Sequence, residues 1–384
     1  MGKYLLLLFS ITLLQSEWTQ VDVPISQNMI KLIPDGNGLY GATSAALIYF
    51  TSDNGLHWQS LPSHPDIFPY GVDLFEKVDD YLFFNQNIGG STYNYRSYYN
   101  GENWEDWEIL PYDESIIYEF VHHDNTIYAL LAPGISASYD YGTSWQLIDT
   151  PTITGYIHLK YVDAQYLFIN HGCTLHRYNI ETHQWLDITG ILDDMGPPEP
   201  YSCTAIHQIE KFNDKLIISM YWYGGVGTLF SSQNNGDTWE IINSFPSLSN
   251  SGYGSNNIPA MAVKNGILYV GTATSEDGIY YTHNLIDWTE YSIGLDNYNL
   301  SVSFLATTEK NIYKLGGSVD LFQNVLIGVS GDVNYDGNIN VLDVVALVNA
   351  ILNSIDIDGG DINSDNTINV LDIVMLVDMI LSGG

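Results

Sequence analysis

Basic side chains are scarce in this chain: 11 lysines and arginines stand against 45 acidic residues, a formal net charge of −34 over 384 residues. Nucleic acid backbones and anionic membrane surfaces carry the same sign of charge, so the balance argues against binding to either. Arginine is rarer still, with Arg96 and Arg177 alone, and cysteine is limited to Cys173 and Cys203. Long apolar runs are missing after the first sixteen residues, so no later segment reaches the ~20 residues that span a bilayer. Continuous helical periodicity is missing before residue 340. What fills that space is 29 tyrosines, 34 glycines and many turn signals, the composition of an all-β body. The length leaves room for about two or three domains.

The first residues have the layout of an export signal: Lys3 is the charged start, Leu5 to Leu14 the apolar core and Ser16 a small residue at the cleavage point. A secretory signal over 1–16 is expected, with a secreted or cell-surface protein and no membrane insertion after its removal. In an exported chain the even cysteine count permits a disulfide between Cys173 and Cys203, or leaves two buried thiols.

One stretch recurs. Ser138 to Trp145 reads SYDYGTSW, in which Ser138 and Asp140 can bond the backbone of a tight turn, Gly142 supplies a positive φ and Trp145 opens the next strand. The frame is whole again at Thr51, Asp53, Gly55 and Trp58. Ser232, Asn234, Gly236 and Trp239 keep it with an amide, and Ser97, Gly101 and Trp104 keep it with Tyr99 at the Asp position. Around Trp185 and Trp288 only the Trp and a polar turn survive. Short apolar runs after polar turns begin near Leu39, Tyr81, Ile127, Tyr166, Leu216, Ile267 and Ile312, which predicts seven repeats. Seven tryptophans in outer-strand context, from Trp18 to Trp288, give the same count. The two series are out of step at the ends, so Trp18 to Pro24 is expected to pair with strands between about Leu300 and Ile327 and to hide the sheet edges.

The repeated S/T-x-D-x-G-x-x-W frame resembles the Asp box of sialidase-like, BNR-type β-propellers. That resemblance implies a seven-bladed propeller over 17–329. It places Cys173 and Cys203 on one face of the propeller. Sialidases hold the substrate carboxylate with three arginines, and two cannot form that clamp, so sialidase activity is not expected. Xyloglucanase-type relatives work in a cleft between two propellers, whereas one propeller is predicted here. The boxes themselves read as structural turns, and no carboxylate pair in the body can be assigned a catalytic role from sequence. His122, His123, His158 and His207 lie near inner strands; they could line a channel and bind metal or move protons, but they lack ligand spacing and read as ordinary polar groups.

After Gly331 the pattern changes. Asp332, Asn334, Asp336, Asn338 and Asp343 stand at positions one, three, five, seven and twelve of an EF-hand-like loop. Asp361, Asn363, Asp365, Thr367 and Asp372 repeat them 29 residues on. Gly337 and Asn366 occupy the sharp turn at position six. Each loop runs into an apolar helix, Val344 to Leu352 and Ile373 to Leu381. A loop followed by one helix, twice, with Asp at position twelve, resembles a type I dockerin over 330–384. The resemblance implies two bound Ca²⁺ ions and a cohesin-like partner domain, with loop positions ten and eleven, Val341, Leu342, Val370 and Leu371, selecting that partner. Dockerins commonly carry basic residues later in their helices; here none follows Lys314.

The fold class expected is mainly β, a seven-bladed β-propeller with a small α-helical EF-hand-like domain at the C-terminus. The function expected is an exported recognition or assembly component, with polysaccharide or glycoprotein as the ligand of the body. The alternative is a polysaccharide-degrading glycoside hydrolase carried by the same dockerin.

Overall fold

The computed structural model describes residues 17–23, 29–36, 38–43, 47–61, 74–88, 91–100, 103–110, 117, 119–131, 134–148, 157–189, 192, 203–222, 226–246, 257–273, 277–316, 320–325, 331, 333, 339–353, 359–363 and 367–382. The expected signal over 1–16 lies outside them. They hold seven four-stranded antiparallel sheets. Blade 1 runs from Met29–Asp35 to Gln59–Ser60, blade 2 from Phe75–Val78 to Glu108–Ile109, and blade 3 from Glu119–His123 to Gln146–Leu147. Blade 4 runs from Ile157–Val162 to Gln184–Asp187, blade 5 from Cys203–Phe212 to Glu240–Ile241, and blade 6 from Ala260–Lys264 to Thr289–Glu290. Blade 7 takes three strands, Phe304–Thr307, Asn311–Leu315 and Phe322–Val325, from one end of the body. Its fourth, Thr19–Gln20, comes from the other end.

Burial falls across each blade in the order its sequence dictates. Second strands such as Ile267–Gly271 are apolar and wholly buried, while two-residue fourth strands such as Gln59–Ser60 are exposed. First and second strands are joined by tight turns whose first residue has positive φ: Asp79 (50°), Asp124 (48°), Asn213 (51°) and Asn265 (52°). Asn and Asp tolerate that region, and the turn twist matches the strands it connects.

The core is divided into wedges, one between each pair of neighbouring blades. Ile33, Tyr40, Phe75 and Phe84 fill the wedge between blades 1 and 2, and Phe168, Ile206, Ile218 and Phe230 fill the one between blades 4 and 5. Closure is built the same way. Val21, Tyr313 and Leu321 of blade 7 pack on Met29, Leu32 and Leu39 of blade 1, so the ring leaves no bare sheet face. Trp18 buries against Tyr291 and Val302, and its Nε1 donates to the Tyr291 carbonyl at 2.6 Å.

Cys173 is disulfide-bonded, and Cys203 is the sequence's other cysteine. Cys173 lies in the hairpin between the second and third strands of blade 4.

The C-terminal segment forms two helices, α1 (Val341–Asn353) and α2 (Val370–Ser382). They pack through Leu347 and Leu376, with Val333 and Ile362 from the preceding loops completing a separate small core.

Candidate functional site

The two loop-helix units are built alike around one carboxylate each. Asp343 Oδ1 accepts from the Val333 amide at 2.8 Å and Oδ2 from the Asn340 amide at 2.8 Å. Asp372 repeats this with Ile362 at 2.9 Å and Asn369 at 2.8 Å, and adds Asn363 at 3.1 Å. Each carboxylate thus closes its loop back onto the first turn of its helix. Asn340 and Asn369 cap those helices, accepting from the Leu342 and Leu371 amides at 2.8 and 2.9 Å. A backbone bond from Gly331 N to Gly359 O, 3.1 Å, ties the two loops together.

Of the ten predicted ligands, Asp343, Asp361, Asn363, Thr367 and Asp372 are described; Asp332, Asn334, Asp336, Asn338 and Asp365 lie outside the described residues. Among the described residues alone, no three acidic, His or Cys side chains converge as a metal site. The donor chemistry still fits Ca²⁺. Asp343 and Asp372 are completely buried, and no Lys or Arg follows Lys314. Buried carboxylates in a segment without basic residues are stabilised by a hard cation with oxygen ligands.

The helices are not simply amphipathic. Leu347 and Leu376 face the core, but Val341, Leu342, Val345 and Leu352 are exposed, and so are Val370, Leu371, Val374 and Leu381. The second set is the first displaced by 29 residues. Sequence reasoning picked out Val341, Leu342, Val370 and Leu371; it named the other four only as part of the apolar helices, because both sides of each helix are apolar and periodicity cannot rank them. The result is two matching exposed apolar stripes.

In the propeller, the boxes are turns with a shared wiring. Ser138 Oγ donates to Asp140 Oδ1 and accepts from the Gly142 amide at 2.8 Å, while Asp140 Oδ1 accepts from Ser144 N at 2.8 Å. Thr51, Asp53, Gly55 and His57 copy this, and Ser232, Asn234, Gly236 and Thr238 copy it with the amide oxygen. The His57 amide and then its imidazole pull Asp53 down to about 2. Blade 6 holds a fourth copy that the sequence pattern missed: Thr282 Oγ1 accepts from Leu285 N at 3.0 Å and Asn284 Oδ1 from Asp287 N at 2.9 Å. Its turn is one residue shorter, and Leu285 (φ 64°) stands where the frame has glycine.

Both arginines serve the ring. Arg96, on the third strand of blade 2, lies over the Tyr81 ring and donates through Nη1 to the Tyr141 carbonyl in the box turn of blade 3. Arg177 lies over Tyr166 in blade 4 and donates to the Asn235 carbonyl in the box turn of blade 5, with Asp237 at 2.8 Å. Each guanidinium fastens a blade to the next.

The inner-strand polar groups do similar work. Glu119 of blade 3 accepts from the Leu159 amide of blade 4 at 2.9 Å, and its other oxygen lies 2.7 Å from His158 Nδ1. Lys160 of blade 4 donates to the His207 carbonyl of blade 5 at 3.2 Å, and Gln208 of blade 5 bonds both the amide and the carbonyl of Met261 in blade 6. These side chains saturate the free edge of the next inner strand. Burial, then Lys160, lowers the His207 pKa; His122 is also lowered by burial and, with His123, sits at the Asp124 turn. His158 therefore belongs to edge wiring that crosses from blade to blade, while His207 gives that wiring its backbone carbonyl.

Residues 330–381 match the family described as Dockerin type I domain. No curated protein shows significant similarity to the chain. Among solved structures, YCF48 from Cyanidioschyzon merolae is similar with a TM-score of 0.56 at 14% identity, covering 80% of this chain and 98% of that one. YCF48 bound to D1 peptide gives 0.59 at 14% identity, over 82% of this chain and 96% of that one. A catalytically inactive virginiamycin B lyase from Staphylococcus aureus, with quinupristin, gives 0.57 at 14% identity, over 81% and 100%. At such identity the likeness is one of fold, and these propellers differ in what they do. Residues 330–381 are thus a type I dockerin domain, borne by a chain whose body is a seven-bladed β-propeller.

Proposed function

We propose that this is an exported assembly component in which a propeller over 17–329 recognises a polysaccharide or glycoprotein. A dockerin over 330–384 attaches it to a cohesin-type partner. Type I dockerins bind calcium and dock into cohesins outside the cell or at its surface, which supports both the ion and the location. In this reading Asp332, Asn334, Asp336, Asn338 and Asp343 hold one Ca²⁺, and Asp361, Asn363, Asp365, Thr367 and Asp372 hold a second. When bound, the ion offsets the clustered carboxylate charge and fixes the loop against its helix. Val341, Leu342, Val370 and Leu371 meet the partner, extended along each helix by Val345, Leu352, Val374 and Leu381.

The observation that carries the reading is the twofold repetition of an exposed apolar stripe on a Ca²⁺-type loop-helix scaffold. Exposed apolar surface repeated by symmetry is a signature of a docking surface rather than of a solvated tail. The absence of later basic residues makes the contact mainly apolar, so partner choice rests on shape. The test is capture of the purified chain on a panel of immobilised cohesins, with Ca²⁺ or with EDTA. Retention that disappears in EDTA and in Val341→Asp/Val370→Asp supports the assembly role; no retention on any cohesin removes it. A parallel panel of polysaccharides is scored for retention and for released sugar, and release would favour the hydrolase.

A further inference from the structure

The wedge between blades 1 and 2 differs from two others in the ring. At the wedges between blades 2 and 3 and between blades 4 and 5, an arginine stacked on a tyrosine reaches the next box turn. Strand register identifies the equivalent places in blade 1. Arg96 stands opposite Phe83 and Arg177 opposite Phe168, and Phe50 stands opposite Tyr40. Tyr81 and Tyr166 come two residues before Phe83 and Phe168; Gly38 comes two residues before Tyr40. The guanidinium is thus replaced by a phenyl ring and its tyrosine bed by a glycine. A Cβ on Gly38 would lie 2.5 Å from Phe50 Cε2, so the ring occupies the tyrosine's space.

The box turn of blade 2 has changed as well. Tyr99 replaces the aspartate, its amide bonds the Asp80 carbonyl at 2.8 Å, and it bridges to Trp104. With the clamp removed and the turn rebuilt, a groove of about 820 Å³ opens between the two blades. One wall is a run of rings: Phe50 to Tyr40 at 4.5 Å, Tyr40 to Trp104 at 5.8 Å and Trp104 to Tyr99 at 5.3 Å. Phe50, Tyr99 and Trp104 are half-buried and present part of their surface to the groove. Asp35, Asp80, Asn103 and Gln59 supply polar groups along it.

We infer that this groove binds a segment of neutral polysaccharide, with Trp104 and Tyr99 stacking on pyranose faces and Asp80 and Asn103 bonding hydroxyls. The inference rests on the proposed recognition role of the propeller and names its site. Aromatic rings beside carboxylates would also suit a cation. Here a cation is already built in: Lys77 Nζ lies 3.2 Å from Asp35 Oδ1 and donates to the Asp79 carbonyl. The net charge of −34 disfavours a polyanion. A ligand with apolar ring faces and uncharged hydroxyls matches what remains, and the volume is in the range of oligomer-sized sites.

The test uses full-length protein in Ca²⁺ and measures retention on β-glucan, xylan and galactomannan, with polygalacturonate and a trimethyllysine peptide as charged probes. Trp104→Ala and Asn103→Ala should each weaken retention on a neutral polymer at least tenfold, Asn103→Ala with unchanged melting. Phe50→Arg, which places an arginine where Arg96 and Arg177 stand in blades 2 and 4, should abolish it. Tyr139→Ala, exposed in blade 3, should behave as the parent chain. If the parent binds a neutral polymer and all three groove variants still bind it, this site is wrong and the recognition role stands. If the parent binds none of the polymers or probes, this inference fails and the recognition role is confined to glycoproteins. Groove-dependent binding of a charged probe alone overturns the ligand class.

Discussion

Arg96 and Arg177 show how a single side chain can carry blade order. Lysine keeps the charge at these places but has neither the planar stack on Tyr81 or Tyr166 nor the fork that reaches the next turn. Arg96→Lys and Arg177→Lys should each cost about 1–3 kcal/mol in urea unfolding, and a stability equal to the parent's would deny the clamp. Two inner-strand carboxylates make a second case. Burial, opposed by Lys31, raises Glu76 to about 7, and burial, opposed by Gln208, raises Glu210 to about 7. A raised carboxyl pKa means that the folded state holds its proton more tightly than the unfolded one. The contribution is complete below the ordinary value near 4.5 and is lost as pH rises through about 7. The melting temperature of the body should therefore fall between about pH 4.5 and 7 from these groups. Glu76→Gln and Glu210→Gln should flatten that fall, and an unchanged slope in the double variant would refute the assignment. What the sequence could reveal at this scale was local: hydroxyl, carboxylate, glycine and Trp lie within eight residues, so the boxes at Thr51 and Ser138 were legible. Arg96 and Arg177 act across to another blade, and Thr282–Asn284 acts in a turn one residue short, so neither left a signal within one window.

The strand Thr19–Gln20 is two exposed residues, yet its position decides closure. It pairs with Phe322–Val325 as the outer strand of blade 7, as the offset between the first Trp and the last apolar run had implied. Trp18 and Val21 flank it and are buried, one on the blade 6 side and the other against blade 1. Trp18→Ala should cost about 3–5 kcal/mol from lost packing alone, and it would also leave the Tyr291 carbonyl without its indole donor. Chemical unfolding checks this, and a loss below about 1 kcal/mol would mean that closure does not depend on the segment. Cys173, in the hairpin between the second and third strands of blade 4, is disulfide-bonded. Reduction should lower stability by about 2–4 kcal/mol. Strand count and closure were readable because apolar second strands and outer tryptophans repeat at a steady interval. The partition of α1 and α2 into buried and exposed apolar stripes was not, since Val345 and Leu347 are equally apolar and only the contact of the two helices separates them.

At the scale of the whole chain the two parts depend on different forces, and calcium should separate them. The propeller is held by seven wedges of buried apolar side chains. Residues 331 to 384 contain nine aspartates and no basic side chain, a charge of −9 that two Ca²⁺ would bring to −5. Their apolar core is small, four buried side chains around two helices of 13 residues. Without the ions, like charges within each loop repel at short range, and a core of that size leaves little to oppose the repulsion. Binding energy and folding energy are then one quantity for this segment. Calorimetry of the full chain should show two transitions in Ca²⁺, and EDTA should remove one of them together with the helical dichroism while leaving the β signal. Asp343→Ala and Asp372→Ala should reproduce half of that loss each, because each strips one loop of the carboxylate that joins it to its helix. Helicity and melting that are the same with and without chelator would mean that the loops are not metal sites and that the docking stripes are held by apolar packing alone.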